Sequence, residues 1–334
     1  MACLMPPHLV EAVLAGGGDD HKATVLAVGE HMDEVREAPP RQPPPSTATP
    51  PARQVGDAGD SDTLPGTVVR EEGGPESKDS RVEEAYEVAG AVYRFYREVL
   101  DRNSIDDRGM TIVSTVHYKK DFANAFWNGA EMIYGDGDGT IFKTFAVPTV
   151  TAHEITHGVI AYSGGLVYRD QPGALNESLA DVFACLVEQH TLGHTAAEAS
   201  WLVGQGVFAD GIQATALRSL KAPGTAYDDP HLGKDPQPYH MDHYVHVTKD
   251  DGGVHINSGI PSHAFYLLAQ ALGGHAWEKA GQIWYGTLQA LQNPHATFHD
   301  FARKTIEVAG WIYQTGSLEV QHTRRAWKLV GIDV

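Results

Sequence analysis

The stretch of sequence that decides the fold is Thr151-Ala152-His153-Glu154-Ile155-Thr156-His157-Gly158. If it is helical, His153 and His157 lie on one face, because four residues advance a helix by one turn plus about 40°. Two imidazoles at that spacing can share a zinc ion, which in catalytic sites keeps a further coordination position for water. Glu154 then lies beside the metal and can take a proton from that water. Taken alone, the pattern also fits a surface helix with two unrelated histidines.

A second polar stretch, Asn176-Glu177-Ser178-Leu179-Ala180-Asp181, offers the third ligand that a zinc site needs. Glu177 follows His157 by twenty residues, which is enough for a loop and a return helix. Asp181 lies one turn beyond Glu177 on the same helical face and can hydrogen-bond the outer nitrogen of a zinc histidine. The sequence therefore predicts a zinc site made of His153, His157 and Glu177, with Asp181 behind it.

The bulk composition is that of an ordinary globular protein, with 334 residues of which 42% are hydrophobic and 20% are charged. A chain of this length is expected to form about two domains. The formal net charge of -18 at pH 7 argues against nucleic acid or an anionic membrane as a partner. Of the two cysteines, Cys3 lies at the N-terminus and Cys185 in a helix-like apolar run, so we predict no disulfide and a buried Cys185.

No hydrophobic stretch reaches the length of a membrane span. The N-terminus also lacks a basic region, since the first lysine is Lys22 and the apolar run Leu9–Ala15 contains Glu11. A Sec-type signal peptide is therefore not expected. We expect the protein to be cytoplasmic as made. Any secretion would follow a non-classical route, for which the sequence shows no signal.

Composition divides the chain into four parts. Residues 1–37 are predicted to form a small helical unit, since the apolar residues from Leu9 to Leu14 have helical spacing. Residues 38–52 contain seven prolines and should form an extended, exposed spacer that proteases can cut. Residues 53–165 are predicted to form an N-terminal lobe that ends in the zinc-binding helix, and residues 166–334 a C-terminal helical lobe.

Hydrophobic periodicity predicts the main elements within these parts. A second helix in the N-terminal unit is predicted from about His21 to Val35, and apolar residues at alternating steps of four and three predict an amphipathic helix over Val82–Leu100. Thr111–Tyr118 and Glu131–Tyr134 have the composition of strands. The loop Gly135–Gly139 has the composition of a calcium loop but lacks the later ligands of an EF-hand, so a tight turn is favoured.

These blocks of residues together resemble a known family. The chain resembles the thermolysin family of zinc metallopeptidases, and its short length and N-terminal Pro-Pro motif resemble the protealysin-like branch. The metzincin pattern, by contrast, needs glycine at position 160 and histidine at position 163, where this chain has Ile160 and Ser163. The resemblance covers roughly residues 55–334 and 5–15, and five blocks carry it: residues 124–129, 135–139, 153–157, 173–181 and 250–259.

The resemblance implies an α+β fold with a β-rich N-terminal lobe and a mainly α-helical C-terminal lobe, preceded by a short helical propeptide. It also implies a zinc-dependent neutral endopeptidase, made as a zymogen, that prefers a bulky apolar residue after the cut. Its partners would be protein or peptide substrates and its own propeptide. The alternative is a non-catalytic zinc-binding protein of the same fold, which the presence of Glu154, His255 and Tyr168 makes less attractive.

The resemblance assigns roles around the metal residue by residue. His255 and Tyr168 would donate hydrogen bonds to the oxyanion of the tetrahedral intermediate, and Asp250 would orient His255. Asn176 and Asp181 would support the metal ligands from behind.

The resemblance also implies residues that bind the substrate. Asn124 and the backbone of Ala125 would pair with the substrate main chain, as in an added strand. Arg218 would bind the carbonyl after the scissile bond and brace the site, although a plain salt bridge is the simpler interpretation of such an arginine. Leu217 would line the apolar pocket, although an apolar residue is equally expected there as core.

The chain departs from the larger family members at the residues that bind calcium. Calcium takes six to eight oxygen ligands, several of them carboxylates. We therefore expect the calcium site to be lost or weak. Glu188 is retained, but other residues stand where acidic ones are expected: Thr149, Ser200, Leu202 and Gln205.

The N-terminal unit is expected to act as an intramolecular inhibitor, with Pro6–Leu9 in or near the active site. Cys3 is a candidate zinc-blocking thiolate. A free N-terminal cysteine without a role is the simpler interpretation.

Overall fold

The structure, a computed structural model, describes residues 4–16 and 52–334. Cys3, the predicted helix His21–Val35 and nearly all of the proline-rich spacer lie outside these residues. The described chain divides into two units, which we call the N-terminal and the C-terminal lobe. The N-terminal lobe contains the described residues through Gly158 together with Gly204–Leu217 and Tyr227–Lys234, and the C-terminal lobe contains Val159–Val203, Arg218–Ala226 and Asp235–Val334.

A five-stranded mixed sheet forms the centre of the N-terminal lobe. Its order is β2-β1-β3-β5-β4, with β1 and β5 parallel to β3 and the two outer strands antiparallel to their neighbours. The central strand β3 is buried at every position, which explains why alternation in its sequence did not separate two faces. The strands are β1 (Arg53–Asp57), β2 (Thr67–Glu71), β3 (Ile112–Val116), β4 (Ala125–Trp127) and β5 (Met132–Tyr134).

The predicted amphipathic helix is observed as α2 (Ser80–Leu100), which packs against β1 and β3. The Asp79 side chain accepts the backbone N–H of Arg81 and so satisfies one of the free amides of the first turn. Asp101 ends the helix in a left-handed conformation at φ 50°. The buried face of α2 includes Tyr86 and Tyr96, as the spacing predicted.

The N-terminal helix is observed as α1 (Pro7–Gly16), and it belongs to the N-terminal lobe. It begins at a proline, which has no N–H to lose in the first turn of a helix. Leu9 and Val13, one turn apart, are fully buried.

The glycine-rich loop at residues 135–139 is a hydrogen-bonded turn. The Asp138 carboxylate accepts the backbone N–H groups of Thr140, Ile141 and Phe142 at 2.8–3.0 Å. Gly137 has φ 76°, and a Cβ there would lie 2.4 Å from the Phe142 carbonyl oxygen. Formation of the turn therefore explains the presence of Asp138 and Gly137 in this loop.

The motif helix is observed as α3 (Pro148–Ala161). Gly158 is needed at its position, because a Cβ there would lie 2.7 Å from Ile105 Cγ2 and 3.2 Å from Trp127 Cε2. Four two-residue strands complete the sheet structure: β6 (Leu202–Val203), β7 (Arg218–Ser219), β8 (Asp228–Asp229) and β9 (Gly233–Lys234).

The C-terminal lobe is built around a long buried helix, α4, which packs against α5, α6, α7 and α8. Cys185 of α4 is buried, as predicted. Trp284 and Trp327 stack in the core with ring centroids 5.7 Å apart. The predicted α+β fold with a helical C-terminal lobe is confirmed. The helices are α4 (Asp170–Leu192), α5 (Asp250–Asn257), α6 (Gly259–Leu272), α7 (Ala280–Ala290), α8 (Phe298–Tyr313) and α9 (Leu318–Leu329).

Candidate metal centre and active site

The helix α3 brings its two histidines together as the four-residue spacing predicted. The Nε2 atoms of His153 and His157 lie 3.0 Å apart, and the two rings are nearly perpendicular. Both side chains are buried. Two nitrogens converging in a buried place are the arrangement expected of ligands to one ion.

Glu154 lies next to His153 on α3 and is fully buried. Its Oε2 accepts the backbone N–H of Trp127 in β4 at 3.1 Å. The sequence motif does not predict this contact, because the contact depends on the packing of β4 beside α3. The hydrogen bond from the strand orients the carboxylate that the motif identifies as the general base.

The third predicted ligand joins the two imidazoles. One ligand atom each of His153, His157 and Glu177 lie within 4.8 Å of one another, and all three side chains are buried. Two imidazole nitrogens and one carboxylate oxygen are a donor set used by catalytic zinc sites. The residues present therefore fit zinc.

Within the C-terminal lobe, Glu177 belongs to a network of polar side chains. The Tyr168 hydroxyl donates to Glu177 Oε1 and lies 3.3 Å from His255 Nε2. The same ring nitrogen lies 3.6 Å from Glu177 Oε2. The structure therefore brings together two residues, Tyr168 and His255, that are 87 positions apart in sequence.

Asp250 holds the other side of the His255 ring. The Asp250 carboxylate accepts from His255 Nδ1 at 2.5 Å and from the His255 backbone N–H at 3.0 Å. Burial by itself lowers the pKa of His255, but the carboxylates of Glu177 and Asp250 outweigh burial and raise it to about 9. The two carboxylates therefore favour the protonated form of the His255 ring.

The turn before His255 has an unusual backbone. Asp250, Asp251, Gly252 and Gly253 all have positive φ, between 48° and 90°. At Gly252 a Cβ would lie 2.1 Å from Asp170 Oδ1, so glycine is required there. This turn is what lets the Asp250 side chain reach back to the ring five residues later.

Arg218 and Asp181 form a buried, two-point ion pair in the C-terminal lobe. Arg218 Nε and Nη2 donate to the two Asp181 oxygens at 2.7 and 2.9 Å. Burial alone would lower the pKa of Arg218, but the Asp181 carboxylate outweighs it, so the pKa lies above its usual range.

The predicted supporting residue Asn176 donates to the Leu166 carbonyl at 3.5 Å.

The predicted substrate-binding residues of the N-terminal lobe contact the N-terminal segment of the same chain. The Met5 N–H donates to Asn124 Oδ1 at 3.1 Å, and the Leu4 N–H donates to the Ala125 carbonyl at 3.2 Å. Leu217 is buried, and its side chain fills the space that a Cβ at Gly204 would need.

Two further residues, one in each lobe, were not predicted from the sequence. Tyr227 lies with its hydroxyl 2.9 Å from His8 Nε2 of α1. Gln237 donates from Nε2 to the His255 carbonyl at 2.8 Å and to Ser258 Oγ at 3.1 Å. Both belong to loops, where no periodic pattern identifies a side chain that faces another segment.

Comparisons with known proteins agree with this arrangement. A family model described as the thermolysin metallopeptidase catalytic domain matches residues 53–161, and one described as its alpha-helical domain matches residues 164–332. The chain is 45% identical to a protein named Extracellular metalloprotease from Pectobacterium carotovorum subsp. carotovorum, over 99% of this chain and 96% of the relative. It is 49% identical to Protease PrtS from Photorhabdus sp. (strain Az29), over 84% of this chain and 76% of the relative.

A solved structure is similar along nearly the whole chain. The precursor of protealysin, a metalloproteinase from Serratia proteamaculans, superposes with a TM-score of 0.91 at 43% identity and covers 99% of this chain and 100% of its own.

The expectation that the protein is cytoplasmic as made is wrong. The Pectobacterium relative is named extracellular, as is a minor metalloprotease from Serratia marcescens (strain ATCC 21074 / E-15) that is 36% identical over 84% of this chain and 80% of its own. These names point to secretion. The expectation failed because it depended only on the lack of a Sec-type signal peptide, and a protein can be secreted by routes that do not use one. Among the described helices, none is both long and apolar enough to span a membrane.

The two family models together account for nearly all of residues 53–332, and the relatives and the solved precursor agree with them in length and identity. The chain therefore belongs to the thermolysin family of metallopeptidases, in its protealysin-like branch, and is a metalloendopeptidase.

Proposed function

We propose that the protein is a zinc-dependent endopeptidase in which His153, His157 and Glu177 hold the metal ion. The observation that carries the proposal is the convergence of one buried ligand atom from each of these side chains within 4.8 Å. The chemistry that zinc supplies when bound is Lewis acidity, which makes water a nucleophile near neutral pH and polarises a substrate carbonyl.

Glu154 acts as the proton carrier in this proposal. Its carboxylate takes the proton from the attacking water and then gives it to the leaving amide nitrogen. Its burial and its hydrogen bond from the Trp127 N–H support the role, because both restrict the carboxylate to one orientation. A base held in one orientation loses little entropy when it reacts.

His255 and Tyr168 stabilise the negative charge that develops on the substrate oxygen. Asp250 holds Nδ1 of His255, which leaves Nε2–H as a donor, and the Tyr168 hydroxyl lies 3.3 Å from that nitrogen. The Tyr168 hydroxyl donates to Glu177 in this structure, so its single hydrogen must turn from that carboxylate to the substrate oxygen before it can act as the second donor to the oxyanion. Asp250 acts by orienting the ring and by keeping it protonated.

Arg218 has two tasks in this proposal. It braces Asp181 on α4, one turn from Glu177, through two hydrogen bonds. It also donates to the substrate carbonyl after the scissile bond. Asn176, beside Glu177 on the same helix, supports α4 by its bond to the Leu166 carbonyl.

Substrate pairs with Asn124 and Ala125 in the manner of an added strand. The contacts that these two residues make with Met5 and Leu4 support this proposal, because the main-chain N–H groups of the N-terminal segment already bond to the Asn124 side-chain oxygen and the Ala125 carbonyl, as those of an extended peptide would. We expect a bulky apolar residue after the cut, with Leu217 in its pocket.

The N-terminal segment inhibits the enzyme until it is removed. Residues 4–16 pack on the N-terminal lobe through Leu4, Leu9 and Val13, which are fully buried, and occupy Asn124 and Ala125. Placing a charge on the buried face, in Leu9→Asp, should raise the activity of the full chain. The matched control is Ala15→Asp, on the exposed face of the same helix, which should leave the full chain as latent as before.

Calcium is expected to contribute little to stability. Thr149 Oγ1 accepts the Gly204 N–H at 2.9 Å, and Ser200 donates to Glu188 Oε2 at 2.8 Å. These hydrogen bonds already occupy side chains at the positions where the resemblance implies calcium ligands. Adding millimolar calcium to the protein should raise the melting temperature by no more than a few degrees, and a rise of many degrees would contradict this part of the proposal.

We infer from the names of the relatives that the protein is secreted. The experiment that tests the whole proposal follows cleavage of a quenched peptide by the matured enzyme before and after its metal is removed by a chelator. Activity should disappear with the metal and return with one equivalent of zinc. Undiminished cleavage by the stripped, folded protein would contradict it.

A further inference from the structure

The helix α3 lacks the apolar stripe that normally sets the rotation of a helix. Every residue from Thr149 to Ile160 is buried. Burial on every face removes the contrast between an apolar and a polar side that fixes the rotation of an amphipathic helix. Contacts in particular directions, such as hydrogen bonds, therefore add to the close packing around Gly158 in fixing the direction of His153 and His157.

Two tyrosines supply directional contacts to this helix. The Tyr134 hydroxyl of β5 donates to Thr151 Oγ1 at 2.9 Å, and the Tyr96 hydroxyl of α2 lies 2.8 Å from Thr156 Oγ1. Thr156 donates its own hydrogen to the Ala152 carbonyl at 2.7 Å. Because a hydroxyl has one hydrogen, Tyr96 must be the donor to Thr156.

The two threonines lie on opposite sides of the histidine face. At about 100° per residue, Thr156 is about 60° from His153 in one direction, and Thr151 is about 120° from His157 in the other. Turning α3 either way would stretch one of the two hydrogen bonds. Both pairs are buried, so water cannot replace a lost bond at no cost.

We propose that Tyr96 and Tyr134 are positioning residues that set the rotation of α3 and so aim His153 and His157 at the metal. Both tyrosines donate to threonines of the helix that carries the two histidines, and they act through these threonines. The inference rests on the proposed function, because it takes the two histidines to be zinc ligands.

The test measures zinc binding and catalysis in the double variant Tyr96→Phe/Tyr134→Phe of the full chain and of the enzyme matured from it. Zinc affinity is measured by competition with a chromophoric chelator, and kcat and KM with a quenched peptide at saturating zinc. We expect zinc to bind about 10–100-fold more weakly, as for other groups that orient metal ligands indirectly. We expect kcat to fall and KM to stay within about twofold, because substrate contacts are unchanged.

Tyr86→Phe is the matched control. Tyr86 belongs to the same helix, α2, and is also buried, but its hydroxyl donates to Glu72 at 3.0 Å. This variant should lower the melting temperature and leave zinc affinity unchanged. A purely structural role of Tyr96 and Tyr134 would give the same pattern as Tyr86, so the comparison separates stability from positioning.

Variants of Thr156 give a second test. Thr156→Ser keeps the hydroxyl and should keep zinc affinity, whereas Thr156→Val removes it with little change in shape and should weaken zinc binding as Tyr96→Phe does. In a Tyr96→Phe background, Thr156→Val should add little, because the same hydrogen bond is already lost.

The inference is overturned if the double tyrosine variant binds zinc as tightly as Tyr86→Phe does. If the double variant does not fold, the single variant Tyr96→Phe, which leaves the bond from Thr156 to Ala152, decides by the same comparison. A His153→Ala protein that binds zinc as tightly as the wild type would instead overturn the proposed function itself, so the two failures are distinct.

Discussion

The helix α3 and the turn before His255 present functional histidines in different ways. On α3, His153 and His157 follow from regular helical spacing, and hydrogen bonds to the Thr151 and Thr156 hydroxyls and to the Glu154 carboxylate hold the helix. His255 follows four residues of left-handed backbone and lies between the carboxylates of Asp250 and Glu177.

This difference shows that local geometry alone can bring two histidines together, whereas the surroundings of His255 depend on carboxylates from distant parts of the chain. The α3 histidines meet because of a repeat of 3.6 residues. The surroundings of His255 come from Tyr168, Glu177 and Asp250, which meet only when the C-terminal lobe folds. Changes in the two regions should therefore have different signatures in metal content and in turnover.

The largest effect is expected from Glu154→Gln, which keeps the shape of the side chain on α3 and removes its basicity. We expect kcat to fall by about 10²–10⁴, the usual contribution of a general base. Zinc content should stay at the wild-type level, because the three ligands remain. A variant that cleaves peptide as fast as the wild type would show that another group is the base.

Breaking the buried pair of Arg218 and Asp181 should give the next largest effect. Arg218→Met leaves the Asp181 carboxylate buried without its ion-pair partner, which costs about 3–5 kcal/mol of unfolding free energy. Chemical denaturation followed by tryptophan fluorescence measures the loss. The control Arg303→Met removes an exposed pair with Asp300 and should change stability by less than about 1 kcal/mol.

Replacing His255 should separate turnover from metal binding. His255→Gln removes a charged donor, so kcat should fall by about 10²–10³ while zinc content stays at one per chain. The control His263→Gln changes another largely buried histidine of the C-terminal lobe, one bonded to the Leu220 carbonyl, and should keep nearly full turnover. Loss of zinc from His255→Gln would contradict the contrast drawn between the two regions.

His117 offers a smaller, pH-dependent test in the N-terminal lobe. Like His255, it lies between two carboxylates, with Nδ1 2.7 Å from Asp136 and Nε2 2.9 Å from Asp79, but it is partly exposed. Burial alone would lower the pKa of His117, and these carboxylates outweigh burial and raise it.

A raised pKa means that the protonated ring stabilises the fold below the unfolded pKa near 6.5 and that this stability is lost as pH rises through the folded pKa. His117→Gln should therefore lower the melting temperature at pH 5.5 and have little effect at pH 9.5. The difference at pH 5.5 should not exceed about 4 °C, since partly exposed ion pairs contribute at most about 1 kcal/mol. If His117→Gln lowered the melting temperature more at pH 9.5 than at pH 5.5, the prediction would be contradicted.

The sequence predicted the features that depend on neighbouring positions. The spacing of apolar residues predicted α2, and the spacing of His153 and His157 predicted their convergence. The burial of β3 on both faces hid its alternation, so its extent was predicted too long, from Thr111 to Tyr118 rather than Ile112–Val116.

Features that depend on tertiary contacts were outside the reach of spacing alone. Tyr96 was correctly predicted to lie in the core, but nothing in its sequence neighbourhood indicates the hydroxyl of Thr156, 60 positions later. The predicted roles of Tyr168, Arg218 and His255 came from family resemblance. Tyr168 lies in a loop, Arg218 in a two-residue strand and His255 in a short helix behind an irregular turn, and none of these has a periodic pattern. Gln237 and Tyr227 were missed for the same reason.

Anomalous diffraction from crystals of the protein, collected on both sides of the zinc absorption edge, tests the central claim most directly. The account predicts one strong zinc peak about 2.0–2.2 Å from a nitrogen of His153, a nitrogen of His157 and a carboxylate oxygen of Glu177. A peak at other residues, or an active protein whose crystals give no zinc peak at these three side chains, would contradict it.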